Sequence, residues 1–218
     1  MRCLTLLTLV FVATAAAVPA ADPSAASRFE KADLGKLPPG WVAAKTGQGE
    51  GSVWVVVADD TAPGKTGYCL AQTAEGPNPF FNLCVRTAGA YQDVAVKVQF
   101  KAVAGKLDQG GGVVWRYQDA DNYYIARMNP LEDNFRVYKV VAGKRTQLDT
   151  KERLKVPVGE WYTIAVTMAG SAIECRLDGE KHLSATDDTF KTAGKVGLWS
   201  KADARTRFDQ FAAAAIEK

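Results

Sequence analysis

Beyond its first residues, the chain alternates between apolar and polar positions in short runs. From Asp93 to Val103, Val94, Val96, Val98 and Phe100 are interleaved with Ala95, Lys97, Gln99 and Lys101. Successive side chains of an extended backbone point to opposite faces, so this segment predicts a half-buried antiparallel strand. Similar runs recur as SVWVVVAD, YCLAQT, FFNLCVRT, GVVWRYQ, NYYIARMN, NFRVYKVV, EWYTIAVTMA, SAIECRLDG, KVGLWSK and RFDQFAAAAI, separated by glycine, proline, asparagine or aspartate. Asp178-Gly179 signals a tight hairpin joining IECRL to EKHLS, and Ala142-Gly143-Lys144 turns YKVV back into RTQL. No segment carries a convincing helical period. The expected fold is all-β, a two-sheet antiparallel β-sandwich or jelly roll, in one domain over residues 22–218 with no internal repeat or linker.

Residues 110–130, GGGVVWRYQDADNYYIARMNP, hold the densest aromatic and cationic content. A hairpin turning at Asp119 to Asn122 pairs Tyr117 with Tyr124 and Trp115 with Ala126. Val113, Trp115, Tyr117, Tyr124, Ala126 and Met128 then share a core face, and Arg116, Gln118, Tyr123, Ile125 and Arg127 share the other. The next strand, NFRVYKV, adds Arg136 and Tyr138 to that second face. Aromatic rings stack on the apolar faces of sugars, while arginine, amide and carboxylate groups bond hydroxyls in fixed directions. The candidate carbohydrate-binding set is therefore Arg116, Tyr123, Arg127, Arg136 and Tyr138, with Asn129, Glu132 and Asn134 of the connecting loop at its rim. The competing reading makes the arginines surface residues paired with Glu132, Asp133 and Asp149.

Charge and cysteines narrow the classes. The formal charge of +3 includes Arg2, signs are mixed throughout, and no basic tract argues for nucleic acid or anionic lipid. MRCLTLLTLVFVATAAAVPAAD reads as a secretory signal over residues 1–21, cut after Ala20 or Ala21, and too short and alanine-rich for a membrane span. A secreted or periplasmic protein is expected. Past that segment stand Cys69, Cys84 and Cys175; export permits one disulfide, Cys69 with Cys84 being the most economical, and the alternative is three buried thiols. A four-cysteine zinc cluster and a multi-histidine site are excluded, His182 being the lone histidine. His182 is expected to be an exposed strand residue without a nucleophile motif beside it. Trp161 and Trp199 read as packing residues.

Taken in order, GGGVVWRYQDADNYYIARMNP, NFRVYKVVAGKRTQL, GEWYTIAVTMAGSAIECRLDGEKHL and GKVGLWSKADARTRFDQFA resemble the concanavalin A-like, laminin-G-like jelly-roll domains of secreted bacterial proteins. The resemblance runs from about Phe29 to Phe211 and is nearest to the 3-keto-disaccharide hydrolase group, also called family 16 glycoside hydrolase-like. It implies a concave sheet facing carbohydrate. True family 16 hydrolases carry Glu-x-Asp, and no glutamate here has aspartate two positions later. The favoured function is thus a carbohydrate-binding module. The alternatives are an enzyme on 3-keto-glycosides, with Glu132 or Asp133 as base and Arg116 or Arg127 stabilising the enolate, and a laminin-G-like protein-interaction module. No cofactor is required. Jelly rolls of this type often pin their first and last strands with calcium, for which Glu30 and Asp209 are the carboxylates to watch.

Overall fold

Strands supply nearly all the regular structure of residues 26–217, the part of the chain that the computed structural model describes; the signal reading, on residues 1–21, lies outside it. In chain order they are β1 (Trp41–Thr46), β2 (Trp54–Ala58), β3 (Tyr68–Gln72), β4 (Phe81–Arg86), β5 (Val94–Ala104), β6 (Gly111–Asp119), β7 (Asn122–Asn129), β8 (Asn134–Val141), β9 (Lys144–Glu152), β10 (Tyr162–Ala169), β11 (Ala172–Leu177), β12 (Glu180–Thr186), β13 (Lys195–Lys201) and β14 (Arg205–Ala215). They form two seven-stranded sheets. The front sheet runs β1-β4-β13-β6-β7-β8-β9 and the back sheet β12-β11-β10-β5-β14-β3-β2, with antiparallel pairing throughout. No described helix is long and apolar enough to cross a membrane.

The core lies between the sheets, where the alternation places it. Val94, Val96, Val98 and Phe100 of β5 meet Val113, Trp115, Tyr124, Ala126 and Met128 of β6 and β7. Each large apolar side chain so buried contributes about 1.5–3 kcal/mol before its ordering cost. Trp115 stacks on Tyr124 with centroids 5.5 Å apart. The glycine run has a packing reason: a Cβ on Gly111 would lie 2.3 Å from the Phe100 ring, and one on Gly112 would lie 1.9 Å from the Ala126 carbonyl oxygen.

Among the register shifts that break the period of two, those in β14 and β6 redirect large side chains. In β14 the register shifts between Asp209 and Ala212, with Gln210 at φ 51°. The inserted residue lets Phe208 and Phe211, an odd number of positions apart, both reach the core. In β6 the register shifts after Trp115, and Arg116 sits at φ 43°. Trp115 therefore pairs with Tyr124 rather than Ala126, and Tyr117 turns to the outer face of the front sheet instead of the core.

The cysteine expectation is corrected by the topology. β3 and β4 follow each other in the chain but belong to different sheets. Cys69 turns outward from the back sheet while Cys84 faces the core from the front sheet, and both thiols are free and buried, as is Cys175. The N-terminal segment does reach the last strand, through Ser27 N–H donating to the Phe211 carbonyl at 2.7 Å, although β1 itself pairs with β4.

Candidate functional site

The outer face of the front sheet is not flat. β1 and β7 stand four places apart in the sheet order, roughly 19 Å if the sheet were planar, yet the Thr46 and Tyr123 hydroxyls are 2.6 Å apart. β9 and β4 stand five places apart, roughly 24 Å in a plane, yet the Arg145 guanidinium lies 5.2 Å from the Phe81 ring centroid. The sheet therefore curls into a hollow. Phe81, Leu83, Val85, Val114, Tyr123, Ile125, Val140 and Trp199 form a second apolar cluster along its floor.

One end of this hollow is charged. Arg127, on β7 and 1% exposed, donates through Nη1 to Asn134 Oδ1 (2.6 Å) and through Nη2 to Glu132 Oε2 (2.7 Å) and the Tyr138 hydroxyl (3.2 Å). Arg136, opposite it on β8, donates to Thr150 Oγ1 (3.1 Å) and Glu152 Oε1 (2.9 Å) and stays a quarter exposed. Asn129 is fully buried and donates to Asp108 Oδ1 at 3.1 Å. Asp108 also accepts the Gly110 amide at 2.6 Å, and Lys201 Nζ is 3.3 Å from its second oxygen, which has no hydrogen-bond partner. A Cβ on Gly110 would sit 2.7 Å from Asp108 Oδ1 and 3.5 Å from the Trp199 ring. The third glycine of the run is thus spent on this carboxylate.

Arg145 lies across the hollow. Its guanidinium carbon is 4.3 Å from the Tyr138 centroid, 5.2 Å from Phe81 and 5.9 Å from Trp199, and its buried Nη1 has no hydrogen-bond partner. Burial pulls its pKa down, and the neighbouring Arg127 charge pulls the same way against Tyr138, Asp108 and Glu132. Burial likewise raises the Asp108 pKa despite Arg127, the Gly110 amide and Lys201. For Glu132, burial is outweighed by Arg127, Asn134 and Arg136, and its pKa is lowered.

Of the residues singled out from the sequence, Arg127, Asn129, Glu132, Asn134, Arg136 and Tyr138 come together at this end. Tyr123 lies deeper in the same hollow, fully buried on Thr46. Arg116 does not join them. Its bulge sends it, 2% exposed, to the carbonyls of Gln92, Phe190 and Gly170 at 2.8, 2.8 and 2.6 Å, with Asp93 at 3.6 Å. That is a structural clamp, and it removes Arg116 from both the binding and the enolate roles. Asp133 occupies the β7–β8 turn at φ 51°. Asp209 is buried and accepts the Gly64 and Gln210 amides at 2.7 and 2.8 Å, while Glu30 is exposed beside a short 3-10 turn. Among the described residues no three His, Cys, Asp or Glu side chains gather as a metal cage. Trp161 is not core but half-exposed on the back sheet, whereas His182 is largely buried, edge-on to Phe135.

Sequence reasoning missed Arg145, Asp108 and Lys201. Arg145 was within reach: the Ala142-Gly143 turn pairs it with Val140, which shares a face with Tyr138 and Arg136. Asp108 lies in the β5–β6 loop and Lys201 at the end of β13, and they meet only through the folded sheet, so local pattern carries no sign of them.

Residues 29–212 match the model of the 3-keto-alpha-glucoside-1,2-lyase-like domain. No curated protein matches the chain. Among solved structures, a carbohydrate-binding module CBM66 from Bacillus subtilis superposes with a TM-score of 0.64 at 19% identity, covering 80% of this chain and 94% of its own. A Bacillus licheniformis beta-glucanase gives 0.52 at 12% identity, covering 83% and 100%. A Bacillus subtilis protein of unknown function with a galectin-like fold gives 0.50 at 11%, covering 73% and 88%. At these identities the likeness is one of fold.

Proposed function

This chain belongs to the 3-keto-alpha-glucoside-1,2-lyase-like domain family, and from that premise we propose that it is an exported carbohydrate-binding domain that holds its sugar at the charged end of the front-sheet hollow. One observation carries the reading. Arg127, Arg136, Tyr138, Arg145 and Glu132 converge on one concave face, with the Arg136 and Glu132 side chains 25% and 36% exposed at its mouth. Buried rings there hold the charged groups in place, and the exposed groups offer directed hydrogen bonds to hydroxyls. Retention of the protein on a glycan array, followed by calorimetric titration of the best ligand, tests it. Arg136→Ala is expected to weaken binding about tenfold, the loss of one charge-assisted hydrogen bond, with the melting temperature unchanged. No retention on any glycan, or retention untouched by Arg136→Ala and Glu132→Gln together, overturns it.

Turnover is a second reading, favoured by Asp108. Elimination on a 3-keto-glucoside needs a base for the C2 proton next to the ketone; the resulting enolate then expels the C1 oxygen. Glu132, held ionised by Arg127, is a weak base, whereas burial raises the basicity of Asp108 beside Lys201 and Arg127. In this reading 3-keto-glucoside consumption is lost in Asp108→Asn and survives Glu132→Gln. No consumption by the unmodified protein ends it.

A further inference from the structure

The charged end of the hollow holds four cations and three carboxylates at close range. Arg127 has Glu132 at 2.7 Å, Arg136 has Glu152 at 2.9 Å, and Lys201 has Asp108 at 3.3 Å. Arg145 makes no ion pair and no side-chain hydrogen bond among the described residues, and its Nη1 is buried without a partner. A guanidinium normally finds a carboxylate or a shell of water. Here it is instead spread over the rings of Tyr138, Phe81 and Trp199, side chains from three different strands. Cation–π contact fixes the plane of the group but leaves its N–H edge free to donate. Such a cation is a receptor lacking its anion.

We propose that the sugar held in this hollow is acidic, a glycan bearing a uronate carboxylate, and that Arg145 receives that carboxylate. The inference rests on the binding reading above and adds the ligand's class to it. A uronate offers both features the surface calls for. Its hydroxyls suit the part-exposed Arg136 and Glu132 side chains at the mouth, and its planar carboxylate matches the guanidinium fork with two parallel hydrogen bonds. Glu132 and Glu152 are engaged by Arg127 and Arg136, and although the Glu132 and Asp108 charges act on Arg145, neither forms an ion pair with it among the described residues. Lysine would supply the charge without the fork or the flat stack, so Arg145→Lys should recover only part of the selectivity.

The test is a matched-pair titration at low ionic strength: oligomers of galacturonate, glucuronate and mannuronate, each beside its carboxyl-reduced neutral form. At least one acidic oligomer is expected to bind tenfold or more tighter than its reduced partner, with that advantage shrinking as salt rises. Arg145→Ala should erase the advantage, so that the variant binds each acidic oligomer and its reduced partner within about twofold of each other. Tighter or equal binding of every neutral form overturns the acidic assignment and leaves the carbohydrate-binding reading standing. Binding to neither member of any pair overturns the acidic assignment, and a blank glycan array beside it overturns the carbohydrate-binding reading as well. An advantage that survives Arg145→Ala, with only the melting temperature lowered, reduces Arg145 to a packing residue and overturns its assigned role.

Discussion

Each outer face of the sandwich carries a buried aspartate between two cations and beside a tryptophan, and the two arrangements differ in how completely they close. On the back sheet, Asp59 accepts Lys101 at 2.5 Å and Arg207 at 2.7 Å, and Thr61 donates to it from both its amide and hydroxyl. Thr61 Oγ1 in turn accepts from Lys101 (2.8 Å) and Trp161 Nε1 (3.0 Å). Burial alone would raise the Asp59 pKa; these donors outweigh it and drive the carboxyl far below its ordinary range. On the front sheet, one Asp108 oxygen has no hydrogen bond, the second cation of the set is turned toward Glu132, and burial wins. A network with every donor and acceptor matched rigidifies; one with unmatched buried groups is held at a cost and marks the place where a ligand completes it.

The largest effect that separates the faces is on stability. Asp59→Asn leaves Lys101, whose side chain is only 8% exposed, without its counter-charge, and should lower the unfolding free energy by about 3 kcal/mol. Asp108→Asn also takes a counter-charge from Lys201 at 3.3 Å, but it keeps an acceptor for the Gly110 amide and Asn129 and removes a charge that burial disfavours, so its cost should be smaller, about 1–2 kcal/mol. Urea denaturation of the two variants checks the contrast. Equal losses would mean that both networks are structural and would remove the reason for singling out the hollow.

Titration should show the same difference with opposite signs. The Asp59 pKa is lower in the folded chain than in the unfolded one, where it is near about 3.9. Its contribution is therefore present above about pH 4 and lost as pH falls through the folded value. The Asp108 pKa is raised on folding, so its ionisation subtracts stability as pH climbs from about 4 toward the folded value. Stability measured against pH should have a shallower acid limb in Asp59→Asn, the remainder coming from other carboxyls held low by their partners, Asp187 foremost. In Asp108→Asn it should instead gain on the unmodified protein as pH rises above about 4.

Smaller in free energy but closer to function is a contrast between arginines. Arg207→Ala on the back sheet should leave sugar affinity within about twofold, while Arg136→Ala weakens it about tenfold. A reversed result would move the site to the other face of the molecule.

How much of this the sequence revealed depends on whether the information was local. The alternation of β5 put Val94 to Phe100 in the core, and the turn signals at Gly143 and Gly179 located their hairpins. Parity along β7 and β8 correctly grouped Arg127, Arg136 and Tyr138 on one face. Parity failed at Arg116 because a bulge adds a residue without changing the pattern of residue types, and arginine at positive φ leaves no compositional trace. Trp161 and Trp199 looked alike as packing residues, yet one is half-exposed and the other wholly buried. The pairing of Asp108 with Lys201, and of Asp59 with Lys101, joins residues brought together by sheet order. No pattern read along one strand contains that order.

The smallest expected effect concerns the thiols, which test the sandwich rather than its faces. Cys69 lies under the Asp59 network, where burial and the nearby carboxylate push its pKa up to about 12; burial alone raises Cys84, and chiefly burial Cys175. Thiolate is the reactive form, so all three should resist a disulfide reagent in buffer and react together once denaturant opens the core. A reductant should shift the melting temperature by less than about 1 °C, because no bridge constrains the unfolded chain. Protection of Cys84 with fast labelling of Cys69 would show that the back-sheet network opens on its own, since Cys69 is the thiol that faces outward. The closed aspartate cluster would then be the looser of the two, and matched donors would no longer mark the rigid face.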